Sequence, residues 1–371
     1  MERKKIVVIE NSVHVTGALK SITRTSYDLR EYFDFVFIMP SHSVGVSYLK
    51  SKGFTAVYEL PMRELSRRPF NMVLYVPFLL INAFRLRGIV QKEEAHLIHV
   101  NDLYNLLPVV LKFMGVRIPI ICHVRFLPDS FPEKLFSFWV QTYLTHAKFL
   151  ICVSDFLKNK LPINQKIKRI HNELPIEERL PPSVGNTNTI LYLSNVIRGK
   201  GQEYAIEAFS NLVVSFPCWK LRFVGGDMGL LKNKEFKTEL IALCQQKGIA
   251  RQVEWTDYVD DVETEYKNAT IALNFSESES FSLTCVEAQF YGCPLVATQS
   301  GGPSEIIIDG QSGFLVPKRD IKAMVLAMKK LMADDLLRTT FARNGREVVR
   351  ERFSIVNTSY QLKQYYLEAL S

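Results

Sequence analysis

Short runs of apolar, often β-branched residues recur through the chain, each closed by a polar loop and followed by a stretch of helical length. In the first half they fall at 6–9, 35–38, 55–58, 96–100, 118–122 and 149–154. In the second half they fall at 190–193, 219–224, 253–255, 271–273 and 295–297. Runs this short, without a polar face, suit strands covered on both sides by helices. The alternation predicts α/β architecture with parallel sheets.

At 371 residues the chain has room for two domains of ordinary size, each burying its own core. Residues 173–188, rich in Pro, Glu and Asn, read as the boundary. The expected division is 1–175, then 188–355, with a last helix at 356–371 crossing back to the first domain. The six cysteines are scattered, mostly within apolar runs, without a CxxC pair. That predicts buried thiols in a reduced cytoplasmic protein, and the spacing points to no metal site. The basic start leads only into a strand-length run, so no secretory signal is expected.

Charge separates the halves. Residues 1–180 carry 25 Lys and Arg against 16 Asp and Glu, while the remainder carries 21 against 22. The whole excess of +8 therefore comes from the first half, which predicts an anionic partner there. Without a nucleic-acid-binding motif, membrane surface and lipid-linked phosphate rank above nucleic acid. The apolar segment 69–84, flanked by Arg67, Arg68, Arg85 and Arg87, is short for a membrane span. It fits either a helix buried against the first sheet or one lying at a bilayer surface.

Strand ends are where ligands bind in such sheets. In the first half those ends bring forward His14, Thr16 and Gly17, then Asn101 and Asp102, then His123 and Arg125. In the second half a basic, glycine-containing loop at 194–201 carries Asn195, Arg198 and Lys200. A strand, such a loop and a helix make a phosphate cradle, although a solvated loop has the same composition. Between Glu279 and Glu287, Ser280, Phe281, Ser282 and Leu283 open a helix whose first N–H groups lack intrahelical partners. A carboxylate on each side of such a cradle suits a ligand with both hydroxyls and phosphate. Glu287 also fits a capping box with Thr284, and Glu305 fits a helix-dipole carboxylate.

The stretch 274–316 resembles the retaining glycosyltransferases with two Rossmann-like domains, the GT-B fold, and a Glu-x7-Glu motif. Glu279 and Glu287 match the two glutamates, Phe281 the aromatic after the first, and Ala288 completes the Glu-Ala pair. The strand at 292–297 and the loops at 301–305 and 310–316 follow in register. The resemblance implies two Rossmann-like domains with parallel sheets facing an interdomain cleft, the second binding the nucleotide sugar. It implies Lys200 with Arg198 on the diphosphate and Glu279 on the sugar hydroxyls, aided by the N–H groups of Phe281 to Leu283. It further implies Glu287 on the ribose, Tyr258 near the base, and His123 orienting the sugar. His14, Thr16 and Gly17 then lie near the donor phosphates and acceptor, with Asn101, Asp102 and Arg125 on the acceptor side.

This sequence departs from the pattern at Asn195, where arginine is usual, and at Ser280 and Ser282, where glycine is common. The function implied is retaining transfer of a hexose from a UDP- or GDP-linked donor, without cofactor or metal. The acceptor implied is a lipid-linked or surface-polysaccharide intermediate at the inner face of the cell membrane. A nucleotide-sugar epimerase on the same fold and a non-catalytic glycan-binding protein are the alternatives.

Overall fold

A computed structural model describes residues 3–62, 69–172, 174 and 187–371, with backbone alone for 69–75 and 355. Most of the expected boundary at 173–188, together with Arg67 and Arg68, lies outside the described residues. The chain forms two compact units, Met1–Glu173 with Ile355–Ser371, and Leu174–Ser354.

The first unit holds a seven-stranded sheet in the order β3-β2-β1-β4-β5-β6-β7. Its strands are β1 (Lys4–Ile9), β2 (Phe33–Pro40), β3 (Val57–Leu60), β4 (Leu97–Val100), β5 (Ile120–Val124), β6 (Phe149–Cys152) and β7 (Ile167–Arg169). Every pairing is parallel. The run at 149–154 was expected to close this sheet, but β7 pairs outside it. A three-residue strand reading Ile-Lys-Arg lacks an apolar run to announce it, and its charges suit an exposed edge.

The helix Ile355–Leu370 belongs to this first unit. Leu362, Tyr366 and Ala369, spaced to share one helical face, are buried in its core with Ile6, Val8 and Phe37.

The apolar segment lies within the helix Pro69–Lys92. It is neither wholly buried nor wholly exposed. Ala83, Leu86 and Val90 are buried, while Val76, Leu80, Ile81 and Phe84 reach solvent, Phe84 with 65% of its surface. Among the described residues no helix is long and apolar enough to cross a membrane.

The second unit holds a six-stranded sheet in the order β10-β9-β8-β11-β12-β13. These are β8 (Thr189–Leu193), β9 (Lys220–Val224), β10 (Val253–Thr256), β11 (Ile271–Asn274), β12 (Leu295–Thr298) and β13 (Phe314–Val316), again all parallel. Met324 and Met328 of the helix Ile321–Ala333 are core residues, and Asp320 caps that helix by accepting from the Ala323 N–H at 3.0 Å. In each sheet the chain reverses direction of growth beside the first strand, between β1 and β4 and between β8 and β11. Such a switch point opens a crevice at the strands' C-terminal ends.

Candidate functional sites

In the second unit, the loop after β8 is drawn against the end of β11. The Tyr192 hydroxyl donates to the Lys200 carbonyl and accepts the Phe275 N–H at 2.8 Å. Gly201 has φ +81, and a Cβ there would lie 2.1 Å from the Phe275 carbonyl oxygen, so only glycine fits. This seam carries Lys200 to Glu279, Nζ to Oε1 2.8 Å, with the carboxylate side chain 14% exposed. Glu279 is itself fixed through its backbone, donating to the Ser300 carbonyl and accepting from the Gly302 N–H, both at 2.9 Å. These bonds tie the loop carrying Glu279 to the loop after β8 on one side and to Ser300 and Gly302 on the other.

Ser282 precedes the helix Leu283–Phe290 with φ +90, a conformation that favours glycine. Its hydroxyl is committed, accepting from Asn274 at 2.9 Å and donating to the Cys285 sulfur at 3.1 Å. It therefore stabilises the bend instead of offering a spare hydroxyl. Thr284 lies inside the helix and takes an Asn274 N–H at 3.2 Å, so it is not the residue before the helix that a capping box needs, and Ser282, which is, makes no side-chain cap. Phe281 is buried edge-on to Phe353, so its ring is core, and its main chain packs so closely on Gly302 that a Cβ there would lie 1.9 Å from the Phe281 carbonyl oxygen. Ser280 and Leu283 are half-buried beside it, and Glu287 lies one turn into the helix.

Arg198 is not brought to this pair. Its guanidinium takes both Glu239 oxygens at 2.6 Å and lies over the Phe236 ring at 4.6 Å. Asn195 lies half-buried at the end of β8, its carbonyl accepting from Gln202 at 2.9 Å. Half-exposed Tyr258 lines the Gly225–Gly226 turn, and burial followed by a hydrogen bond from its hydroxyl to Asp260 raises its pKa. Glu277 went unremarked in the sequence, yet it takes the Tyr204 hydroxyl at 2.5 Å and both arms of Arg319 at 2.8 and 2.7 Å.

In the first unit, polar side chains converge where β1, β4 and β5 end. The Glu10 carboxylate accepts the Asn11 and Ser12 N–H groups at 2.9 Å, the Ser12 hydroxyl at 2.6 Å, and an Asn101 N–H. Asn101 in turn accepts from Arg125 Nε at 2.8 Å, and Arg125 Nη1 donates to Asn172 at 2.8 Å. A buried carboxylate and a buried guanidinium are thus joined through asparagine. Asp102, also buried, has its pKa pushed up to about 8 by burial, despite the Leu103 N–H it accepts at 2.8 Å. Thr16 is the N-cap of the helix Gly17–Asp28, accepting the Leu19 N–H at 3.2 Å. Gly17 opens that helix without left-handed backbone, and His14 lies half-buried in the loop before it.

His123 sits at the end of β5, 5% exposed. Its Nδ1 is 2.6 Å from His99 Nε2, and His99 Nδ1 meets the Tyr366 hydroxyl. Burial first, then the Arg125 charge, holds His99 down to about 3 and His123 well below the usual imidazole range. Both rings are neutral at pH 7. His99 and Tyr366 were missed in sequence. The available signal was the polar pair at i and i+2 in both strand ends, His99 with Asn101 and His123 with Arg125, which places each pair on one sheet face.

Two family models match the chain, glycosyl transferases group 1 over residues 177–348 and Glycosyltransferase Family 4 over residues 41–174. Among curated relatives, the capsular polysaccharide biosynthesis glycosyltransferase CapM of Staphylococcus aureus is 26% identical over 51% of this chain. That match spans about half of the relative's own length, 48%. The N-acetyl-alpha-D-glucosaminyl L-malate synthase of Bacillus anthracis is 21% identical, covering 88% of each chain. Among solved structures, Anabaena Alr3699/HepE in complex with UDP-glucose superposes with a TM-score of 0.83 at 19% identity, covering 98% of this chain and 99% of that one. At that identity the likeness shows the shared fold, which is GT-B.

Proposed function

The chain belongs to the group 1 glycosyltransferases, and on that premise we propose that it moves a hexose from a nucleoside diphosphate sugar to a hydroxyl acceptor with retention. The observation that carries this reading is the Lys200–Glu279 pair at 2.8 Å, set beside an uncapped helix start. An ammonium and the N–H groups of a helix start suit a diphosphate, and a carboxylate suits sugar hydroxyls. In this reading the bond from sugar C1 to the β-phosphate oxygen breaks, and its electron pair leaves with the nucleotide. The acceptor oxygen bonds to C1 on the same face and passes its proton to the departing phosphate. Lys200 stabilises the charge that grows on that phosphate, which is worth most in a site closed to water. Glu287 holds the ribose, and His123 donates to a sugar oxygen. The UDP-glucose bound by the Anabaena protein favours a UDP-linked donor here.

The acceptor is a glycan intermediate at an anionic membrane surface. Supporting this, the first half carries the whole positive excess, and the exposed face of Val76, Leu80, Ile81 and Phe84 adjoins exposed Arg85 and Arg87. Sedimentation with vesicles containing anionic lipid tests the surface. Binding that salt and Phe84→Ser together abolish supports it, and no binding at low salt removes it.

Melting shifts with UDP-, GDP- and ADP-sugars test the donor side. A ligand at about 100 times its Kd stabilises by about 2.7 kcal/mol. A shift with one nucleotide class that shrinks in Lys200→Ala supports the reading. No shift with any nucleotide, or sugar conversion without an acceptor, overturns it.

A further inference from the structure

The buried line from Tyr366 through His99 to His123 has a direction, and that direction decides what His123 offers a ligand. Tyr366 is held in the first unit's core, its ring edge-on to Phe33 at a centroid distance of 5.4 Å. Its hydroxyl is sealed from solvent, and among the described residues its one hydrogen-bonding contact is His99 Nδ1. The His99 and His123 rings lie 19° from parallel with centroids 4.7 Å apart. With Nε2 and Nδ1 only 2.6 Å apart, the rings are edge to edge and nearly coplanar, which is hydrogen-bond geometry and not face stacking.

A buried phenol hydrogen needs an acceptor. The one within reach is His99 Nδ1, which must then be the bare nitrogen. A neutral His99 therefore carries its hydrogen on Nε2 and donates it to His123 Nδ1. A neutral His123 then carries its own hydrogen on Nε2. The opposite polarity would leave the Tyr366 hydrogen without a partner, at a cost of about 1–3 kcal/mol. Neutrality of both rings follows from burial and from the repelling charge of Arg125.

We propose that Tyr366 and His99 are positioning residues that fix His123 as the tautomer protonated on Nε2, so that it presents an N–H to ligand oxygen and cannot act there as a base. This rests on the glycosyltransfer reading only for the identity of that oxygen, a sugar hydroxyl or phosphate. It also gives the helix Ile355–Leu370 a part in the chemistry, since Tyr366 reaches His123 across 243 positions of sequence.

The test is two-bond 1H–15N correlation on the ligand-free protein at pH 7 with ring-labelled histidine, the two signals assigned from His99→Gln and His123→Gln. The expected result is Nε2-protonated rings at both positions. Tyr366→Phe keeps the ring packing and should turn both into a mixture of tautomers. A wild-type His123 protonated on Nδ1, or on both nitrogens, overturns the proposal. So does a spectrum that Tyr366→Phe leaves unchanged. These readouts need no donor, so they stand apart from any failure of the glycosyltransfer reading. Where transfer is measurable, Tyr366→Phe should lower kcat several-fold at unchanged donor KM. Unchanged kcat despite a changed spectrum overturns the positioning role.

Discussion

The two units share one strand order around the switch point, yet they build their polar sites in opposite ways. In the second unit the groups come from consecutive loops. Glu279, Ser282 and Glu287 lie within nine positions, and one seam brings Lys200 to them. In the first unit Glu10, Asn101, Arg125 and Asn172 form one network from four distant segments, and His123 is joined through His99 to Tyr366. The second site is half-open and ready for a ligand's charge, whereas the first has largely satisfied its own. One fold can thus place binding in a local motif and orientation in long-range packing.

Arg125→Met should have the largest effect on stability. Removing a buried cation that bonds two asparagines should destabilise the first unit by about 3–5 kcal/mol, read as a lower denaturation midpoint. The second unit, monitored by its own unfolding transition, should hold. A loss shared equally by both units would sink the idea that this network belongs to one site.

Lys200→Ala comes next. It should lower turnover by about 10²–10³-fold, the usual effect of deleting one group that meets developing charge. Stability should change far less, because the partner Glu279 keeps its backbone bonds to Ser300 and Gly302. Transfer rates and melting curves on the same variant separate the two effects. Unchanged turnover would remove Lys200 from the chemistry.

This contrast also explains what was legible in the sequence. Strand runs and the glutamate motif are local patterns, so the α/β class and the pairing of motif residues with strand ends could be read directly. Partner choice over long separations could not. Arg198 looked like a phosphate ligand until Glu239, 41 positions away, supplied its carboxylate. His99 was hidden inside an apolar strand, and Tyr366 meets it across 267 positions of sequence, a pairing no local pattern announces. Ser282 was visible as a departure from glycine, but its strained backbone and committed hydroxyl emerge only with Asn274 beside it.

Between these lies a pH effect confined to the first unit. Asp102, with a folded pKa near 8, keeps its proton while the unfolded chain loses it, so its contribution falls as pH rises from about 4 to 8. His99 and His123 are held neutral, so their contribution falls as pH drops below about 6.5. The two slopes oppose, and between about pH 6.5 and 8 only the Asp102 slope remains, roughly 1.4 kcal/mol per pH unit at its steepest. The first unit should therefore be most stable near pH 6.5. Asp102→Asn should flatten the decline above that value, measured as denaturation midpoints from pH 5 to 8.5. A decline of equal slope in the variant would assign the effect elsewhere.

The smallest expected effect discriminates best between the two basic residues of the 194–201 loop. Arg198 is 64% exposed in its side chain and already holds both oxygens of Glu239, which is 56% exposed. An exposed pair of that kind contributes about 0–1 kcal/mol to stability, so Arg198→Ala should scarcely move the melting temperature. To grip a diphosphate, Arg198 would have to leave Glu239 and its place over Phe236, and that exchange returns little net energy. Arg198→Ala should accordingly reduce turnover at least tenfold less than Lys200→Ala, with any change appearing in donor KM. Glu239→Gln provides the converse, since releasing the guanidinium should lower donor KM if Arg198 can reach the phosphates at all. Equal losses from Arg198→Ala and Lys200→Ala would show that the ion pair opens in the working enzyme, and that the loop supplies two phosphate ligands in place of one.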